Sequence, residues 1–396
     1  MPTPFKLDKS LPSVYWASGD DAYNNTLKAL SYLDLSPSKG KCVLLKPNVG
    51  RNVQPETGVT THPQVVAAAI DAFRDAGADV AVGESPITGV TMFDAFESSG
   101  ITAVAKIRNC PLIDMDINRY VTCEIPAGIA MKSLKVCREI TEYDIIVSIP
   151  VMKTHMHTGV TLSVKNMKGC LWRRSKVDFH MLPQLPGHEE KPLDIAIADL
   201  SSVLQPHLSI IDGTIGMEGL GPSAGKPKSL GVVLVGVDAF ATDSVACAIM
   251  GISAHDIPHL WIGSQRGYGV IDIDSIAVIP ENWKDVQDSF DLPPEELSIE
   301  FSGFTVLDQQ SCSACQSTLL MFLRQYGQQL SDGTSDDKNI TIAIGKGHEE
   351  LPINTLCVGN CTAKHKNGRK FVSGCPPVSS EILAMFNDDK SSLRPD

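Results

Sequence analysis

Four cysteines near the end of the chain have the type and spacing for metal chemistry. Cys312 and Cys315 form a C-x2-C pair directly after the run GFTVLD, Cys361 follows NTLCVG, and Cys375 follows Phe371-Val372 within GCPP. Each run is short and apolar enough to be a strand, so three strand ends would present thiolates at the carboxyl edge of one sheet, where α/β folds place their sites. Four thiolates suit tetrahedral zinc or an iron–sulfur cluster. Zinc knuckles usually pair two C-x2-C units, whereas Cys361 and Cys375 are separated by thirteen residues. Pro376 and Pro377 hold the chain extended beside Cys375, and Gly374 lets backbone approach a bulky group. A 4Fe-4S cluster therefore ranks first, zinc second and unligated buried thiols third. Cys357, inside its apolar run, is expected in the core and not among the ligands.

A second concentration of chemistry lies at 151–176, VMKTHMHTGVTLSVKNMKGCLWRRSK, which holds six cations and no carboxylate in a chain of formal net charge −12. A charge run is usually a solvated face, which suits Arg173, Arg174 and Lys176. Lys153 and His155 instead come straight off the run DIIVSIP, and Lys165 and Lys168 follow a β-rich stretch. Those lysines, with His155 and His157, could bind an anionic substrate and move protons. Other strand mouths carry Lys46 with Asn48, Glu84 with Ser85, and Asp212 before the glycine-rich stretch GTIGMEGLGPSAGK. That stretch is neither a dinucleotide fingerprint nor a P-loop, since Pro227 follows Gly225-Lys226; it reads as a lid carrying Glu218. His62, at a helix start, is read equally as cap and as catalyst.

These residues need a scaffold of alternating strands and helices. KCVLLKP, ADVAVGE, DIIVSIP, LSIIDG and GVVLVG read as strands buried on both faces. Between them lie helix candidates at 63–76 (capped by Thr61 and closed by Gly77), 193–204, 243–250 and 255–266. The expected fold is α/β, a doubly wound mostly parallel sheet, followed by a second, smaller α/β unit that bears the cysteines. The acidic, Pro-Pro-containing stretch 281–300 separates residues 1–300 from 301–396.

Composition bounds the rest. The chain has 396 residues, 43% of them hydrophobic, which is enough for a full core and too long for one ordinary domain. Its acidic balance argues against nucleic acid as a partner. No run approaches the ~20 apolar residues of a membrane span, and the N-terminus lacks an apolar signal core. Eleven cysteines in a chain read as cytoplasmic point to thiol or metal chemistry rather than disulfides.

KPNV, TTHPQVV, GESP, SIPVMKTH, SVKNMKG, IDGTIGMEG and the Asp238/Asp243 segment together resemble the domain-of-unknown-function 362 family over roughly residues 40–265. The tail from CSAC through GNC to GCPP is similar to the cysteine-bearing end of one of its subgroups. GCPP also resembles the cluster-binding segment of nickel–iron hydrogenase small subunits. The resemblance implies a fold and a cluster, not a reaction; the ferredoxin-type C-x2-C-x2-C-x3-C run is absent. The leading expectation is an oxygen-sensitive 4Fe-4S oxidoreductase. Lys46, Asn48, Lys165, Lys168 and Asp212 would bind a small anionic substrate, with Lys153, His155, His62 and Glu218 as catalytic groups and Cys312, Cys315, Cys361 and Cys375 as ligands. A redox protein partner is implied. The alternatives are a non-redox isomerase, hydratase or transferase with a structural cluster or zinc, and a non-catalytic electron-transfer or maturation partner.

Overall fold

The computed structural model describes residues 3–87, 89–293, 301–331 and 339–391. Two compact units divide the chain, Met1–Pro294 and Glu295–Asp396. The boundary expected at residue 300 lies outside the described residues.

Twelve strands fall in the first unit: β1 Ser13–Ser18, β2 Cys42–Pro47, β3 Asp79–Glu84, β4 Leu112–Asp114, β5 Val121–Glu124, β6 Ser133–Val136, β7 Ile145–Ile149, β8 Val151–His155, β9 Gly159–Thr161, β10 Leu208–Glu218, β11 Lys226–Gly236 and β12 Ala277–Ile279. Ten form one sheet in the order β12-β1-β11-β10-β7-β2-β3-β4, with β8 and β9 extending from β10. β10, β7, β2, β3 and β4 run parallel, while β11 is antiparallel to both neighbours. Period-two alternation divides the strand residues between two cores. Val43, Leu45, Val233 and Val235 face one way with the apolar stripe Val65, Val66, Ala69, Ile70 and Phe73 of the helix Pro63–Asp75. Leu44, Val232 and Leu234 face the other, with the helix Ala239–Ile249. Helices cover both faces, so the sheet is doubly wound. The chain lays β3 and β4 to one side of β2 and then returns to lay β7 on the other, which makes the carboxyl ends of β2 and β7 a topological switch point.

Three local expectations are corrected. His62, not Thr61, caps the helix Pro63–Asp75: its Nδ1 accepts the Gln64 N–H at 3.3 Å, while the Thr61 hydroxyl donates to Ile149 O at 2.7 Å. Half of the glycine-rich stretch is strand. β10 and β11 pair from Ser209↔Gly236 to Glu218↔Lys226, with a bulge between Gly213 and Ile215, so only 219–225 turn. Lys153 and His155 lie within β8, because the chain pairs again immediately after Pro150.

The second unit holds four parallel strands in chain order, β13 Phe304–Asp308, β14 Ile340–Ile344, β15 Leu356–Val358 and β16 Phe371–Val372. Helices Ser313–Ser331 and Ser379–Ser391 pack against each other through Phe322 and Phe386.

Candidate functional site

At the switch point Lys46 stands opposite Ser148 of β7. Lys46 is fully buried and its amine is saturated: it donates to Glu84 Oε2 at 2.9 Å, Asn166 Oδ1 at 3.2 Å and Pro47 O at 3.2 Å. Glu84 in turn accepts the backbone N–H groups of Val49 and Ser85. Each charge in this knot has a partner and both carboxylate oxygens accept a hydrogen bond, as a buried ion pair requires. Asn166 also donates to Lys46 O and Ser148 Oγ, tying β2 to β7. Gly169 is there because nothing larger fits, since a Cβ on it would lie 2.5 Å from Lys46 Nζ and 2.9 Å from Glu84 Oε1.

Asn166 and Lys165 ride on the short helix Ser163–Asn166, and Asp243 holds that helix in place. The Asp243 carboxylate, 80 residues away in sequence, accepts the N–H groups of Ser163 at 2.7 Å and Val164 at 2.9 Å. Full burial nonetheless pushes its carboxyl up to about 8. Asp212 plays the same part on the other side. It accepts the His62 N–H at 2.7 Å and the Thr214 N–H at 2.9 Å, and burial raises its carboxyl.

Beside this scaffold the structure collects cations. Lys153 Nζ donates to Val59 O at 2.8 Å; burial, then the charges of Lys165 and Arg51, hold it well below the usual lysine range. Lys165 Nζ reaches Thr161 Oγ1 at 3.4 Å, and burial lowers its amine to about 7 against the opposing pull of Asp194. Lys168 Nζ and His180 Nε2 are in hydrogen-bond contact, and burial depresses both groups. His155 is depressed first by burial and then by Lys165, His157, His180 and Lys168. Its Nδ1 accepts the His157 N–H at 3.1 Å, so the neutral ring carries its hydrogen on Nε2. The His155 and His157 rings lie 5.7 Å apart, and His157 lies 6.4 Å from His180. The carboxylates acting on these amines are Glu84, already bound to Lys46, and Asp194.

Of the residues expected here, Lys153, His155, Lys165 and Lys168 are brought together. Lys46 and Asp212 adjoin them but are engaged in holding the scaffold. Asn48 directly follows β2, where its N–H donates to Thr61 Oγ1; its buried Oδ1 has no partner among the described residues. His62 caps its helix. Glu218 is not in the group: it pairs with Lys228 at 3.3 Å and accepts the Asp291 N–H at 3.1 Å. Lys176, read as solvated, is buried and donates to Ser85 and Asp116. Arg51, His180 and Asp194, with His259, were not singled out by the sequence. Of these only Arg51 carries a signal, standing three residues after Asn48.

In the second unit Cys312 and Cys315 lie at the start of the helix Ser313–Ser331, with Cys361 after β15 and Cys375 after β16. The Cys315 thiol and the N–H groups of Cys315 and Ala314 lower Cys312 to about 6. Cys315 is raised by Cys312, by burial, and by the charges of Cys361 and Cys375. The last two segments are laced together: Asn360 N donates to Gly374 O, Gly374 N to Asn360 Oδ1, and Gly359 N to Val372 O, each at 2.9 Å. A Cβ on Gly359 would lie 3.4 Å from Cys315 Sγ. Cys357 packs in the core with Ala343, Leu351, Leu307 and Phe371. Among the described residues no three His, Cys, Asp or Glu side chains are grouped to hold a metal ion, and none of the eleven cysteines is in a disulfide.

A doubly wound α/β unit with desolvated cations at its switch point defines the class. Within that class the chain belongs to the family described as Domain of unknown function (DUF362), which matches residues 43–248. It is 27% identical over 262 residues to a thylakoid-associated protein of Synechocystis sp., covering 66% of this chain and 79% of that one. Among solved structures it is similar to the lactate racemase apoprotein of Thermoanaerobacterium thermosaccharolyticum, at 14% identity and a TM-score of 0.41, covering 63% of this chain and 60% of that one. A protein of Thermotoga maritima gives 15% identity and a TM-score of 0.37 with the same coverage. The chain thus spans 60% of the length of either structure. No helix among the described residues is long and apolar enough to cross a membrane.

Proposed function

We propose that this protein is an iron–sulfur oxidoreductase whose large unit binds a small anionic substrate beside the switch point. One observation carries the substrate class: Lys153, Lys165 and Lys168 are desolvated together with Arg51 and three histidines, and the nearby carboxylates do not match their number. Buried amines in such company shed protons or take in an anion. An anionic oxygen among them would accept their hydrogen bonds, restore their protons and be held against water. His155 would donate from Nε2, and the unpaired Asn48 Oδ1 would accept a hydrogen from the substrate and orient it. Lys46, Glu84, Asn166, Asp212 and Asp243 fix the frame.

The second reading within this proposal concerns Cys312, Cys315, Cys361 and Cys375, which would hold a 4Fe-4S cluster. Supporting it are the already acidic Cys312 thiol, three parallel strands that each end just before a cysteine segment, and the side-chain-free backbone at Gly359 beside Cys315. Such a cluster supplies single-electron transfer, to the anion site or to a redox protein partner. Eleven cysteines with no disulfide among them suit a reducing compartment such as the cytoplasm.

Anaerobic purification followed by iron and acid-labile sulfide analysis tests the cluster. Four irons and four sulfides per chain, with an EPR signal on dithionite reduction, are expected. Zinc without sulfide would remove the redox assignment. A cluster that dithionite cannot reduce would leave a non-redox enzyme.

A further inference from the structure

Lys165 differs from every other buried lysine of the first unit in what its amine touches. Lys46 donates to a carboxylate, an amide and a carbonyl; Lys176 to Ser85 and Asp116; Lys153 to a carbonyl; Lys168 meets an imidazole. Among the described residues Lys165 has one long contact, 3.4 Å to the Thr161 hydroxyl. It is also central, since its charge acts on Lys153, Lys168, His155, His180 and His259 alike. The facing acid is Asp194, 1% exposed, with Oδ1 3.6 Å from His259 Nδ1; neither that oxygen nor either His259 nitrogen has a hydrogen-bond partner among the described residues. The frame around the amine is rigid, pinned by Asp243 and Asn166.

We propose that Lys165 is a nucleophilic amine that forms an imine with the carbonyl carbon of a small 2-oxo acid, whose carboxylate is held by the neighbouring cations. This rests on the anion-site reading and names its substrate class. The free amine adds to the carbonyl carbon: a C–N bond forms as the C=O π pair moves to oxygen, and a proton passes from nitrogen to that oxygen. The nitrogen lone pair then expels the hydroxyl, which leaves as water with a proton supplied by solvent, and the nitrogen keeps its remaining hydrogen as the protonated imine. No oxidant or reductant is consumed. The carboxylate sits one bond from the reacting carbon, which suits a nucleophile ringed by cations. An amine near 7 is about half free base at neutral pH, whereas an ordinary lysine is almost wholly protonated. Asp194 is a positioning residue, raising the amine toward that range.

The experiment incubates the full-length protein with pyruvate, reduces with borohydride and maps modified lysines by peptide mass spectrometry. Lys165 should carry the adduct about tenfold or more above any other lysine of the chain. The adduct should vanish in Lys165→Arg, which keeps the charge, with circular dichroism confirming the fold. In Asp194→Asn the pH at half-maximal trapping should fall. Stabilisation by oxalate, read by thermal unfolding, separates the two ideas. If oxalate stabilises the protein and Lys165 is not trapped, the imine is overturned and the anion site stands. If neither occurs, both fall.

Discussion

The decisive property at the residue scale is where a lysine can leave its proton. Lys46 and Lys165 are both buried, yet only Lys46 has a carboxylate in contact. Removing one partner of the Lys46–Glu84 pair strands the other charge. Glu84→Gln should therefore cost about 3–5 kcal/mol in chemical denaturation, whether or not substrate is present. Lys165 responds to pH instead. Its folded value near 7 lies below the 10.5 of a free lysine, so its contribution to stability is complete above about 10.5 and is lost as pH falls to about 7. Relative to Lys165→Met, the wild type should gain about 1.4 kcal/mol per pH unit across that window. A pH-independent difference between the two proteins would contradict the burial assigned to this amine.

The short helix Ser163–Asn166 matters more than its length suggests, because it carries Lys165 and Asn166 and is followed by Lys168. Asp243→Ala would leave two buried N–H groups unpaired, at about 1–3 kcal/mol, and should weaken anion binding along with stability. Gly169→Ala should do worse than a surface change, since its methyl collides with the Lys46–Glu84 pair; the thermal midpoint reports it. Strand ends at Lys46, Glu84 and Asp212 were legible because continuous apolar runs mark buried parallel strands whose last residues become polar. The far half of the β10–β11 ribbon, beyond Gly213 and before Gly231, was not, because its glycines and Pro227 look like a loop, and only cross-strand pairing makes them strand. Asp194 and His259 were invisible for a related reason. Each lies in an unremarkable helix, and their importance comes from being buried where their charges act on or feel Lys165. The sequence pattern also offered Glu218 as a catalyst; its engagement with Lys228 depends on a hairpin register that composition does not reveal.

For the whole molecule, formal charge is a poor guide to function. The chain is acidic at −12, yet its large sheet gathers buried basic side chains, Lys153, Lys165 and His155 among them. The cysteine group lies in one unit and the buried amines in the other. Changes in one should accordingly leave the other's signal intact: Cys361→Ser should lower bound iron and sulfide without altering anion affinity, as judged by metal analysis and calorimetry on the same sample. That Cys312, Cys361 and Cys375 follow strands could be read from the apolar runs before them, but only the parallel order β13 to β16 puts those strand ends on one edge.

The central claim is that the buried amines await an anion, and binding at them is the direct measurement. Calorimetric titration of oxalate at pH 7 should show stoichiometric binding with net proton uptake, seen as a dependence of the heat on buffer ionisation. At saturating oxalate the unfolding midpoint should rise by roughly 5 °C, and Lys153→Gln should lose both effects. If oxalate, malonate and inorganic phosphate all fail to bind the correctly folded wild type, the amines serve the fold alone and the account is wrong.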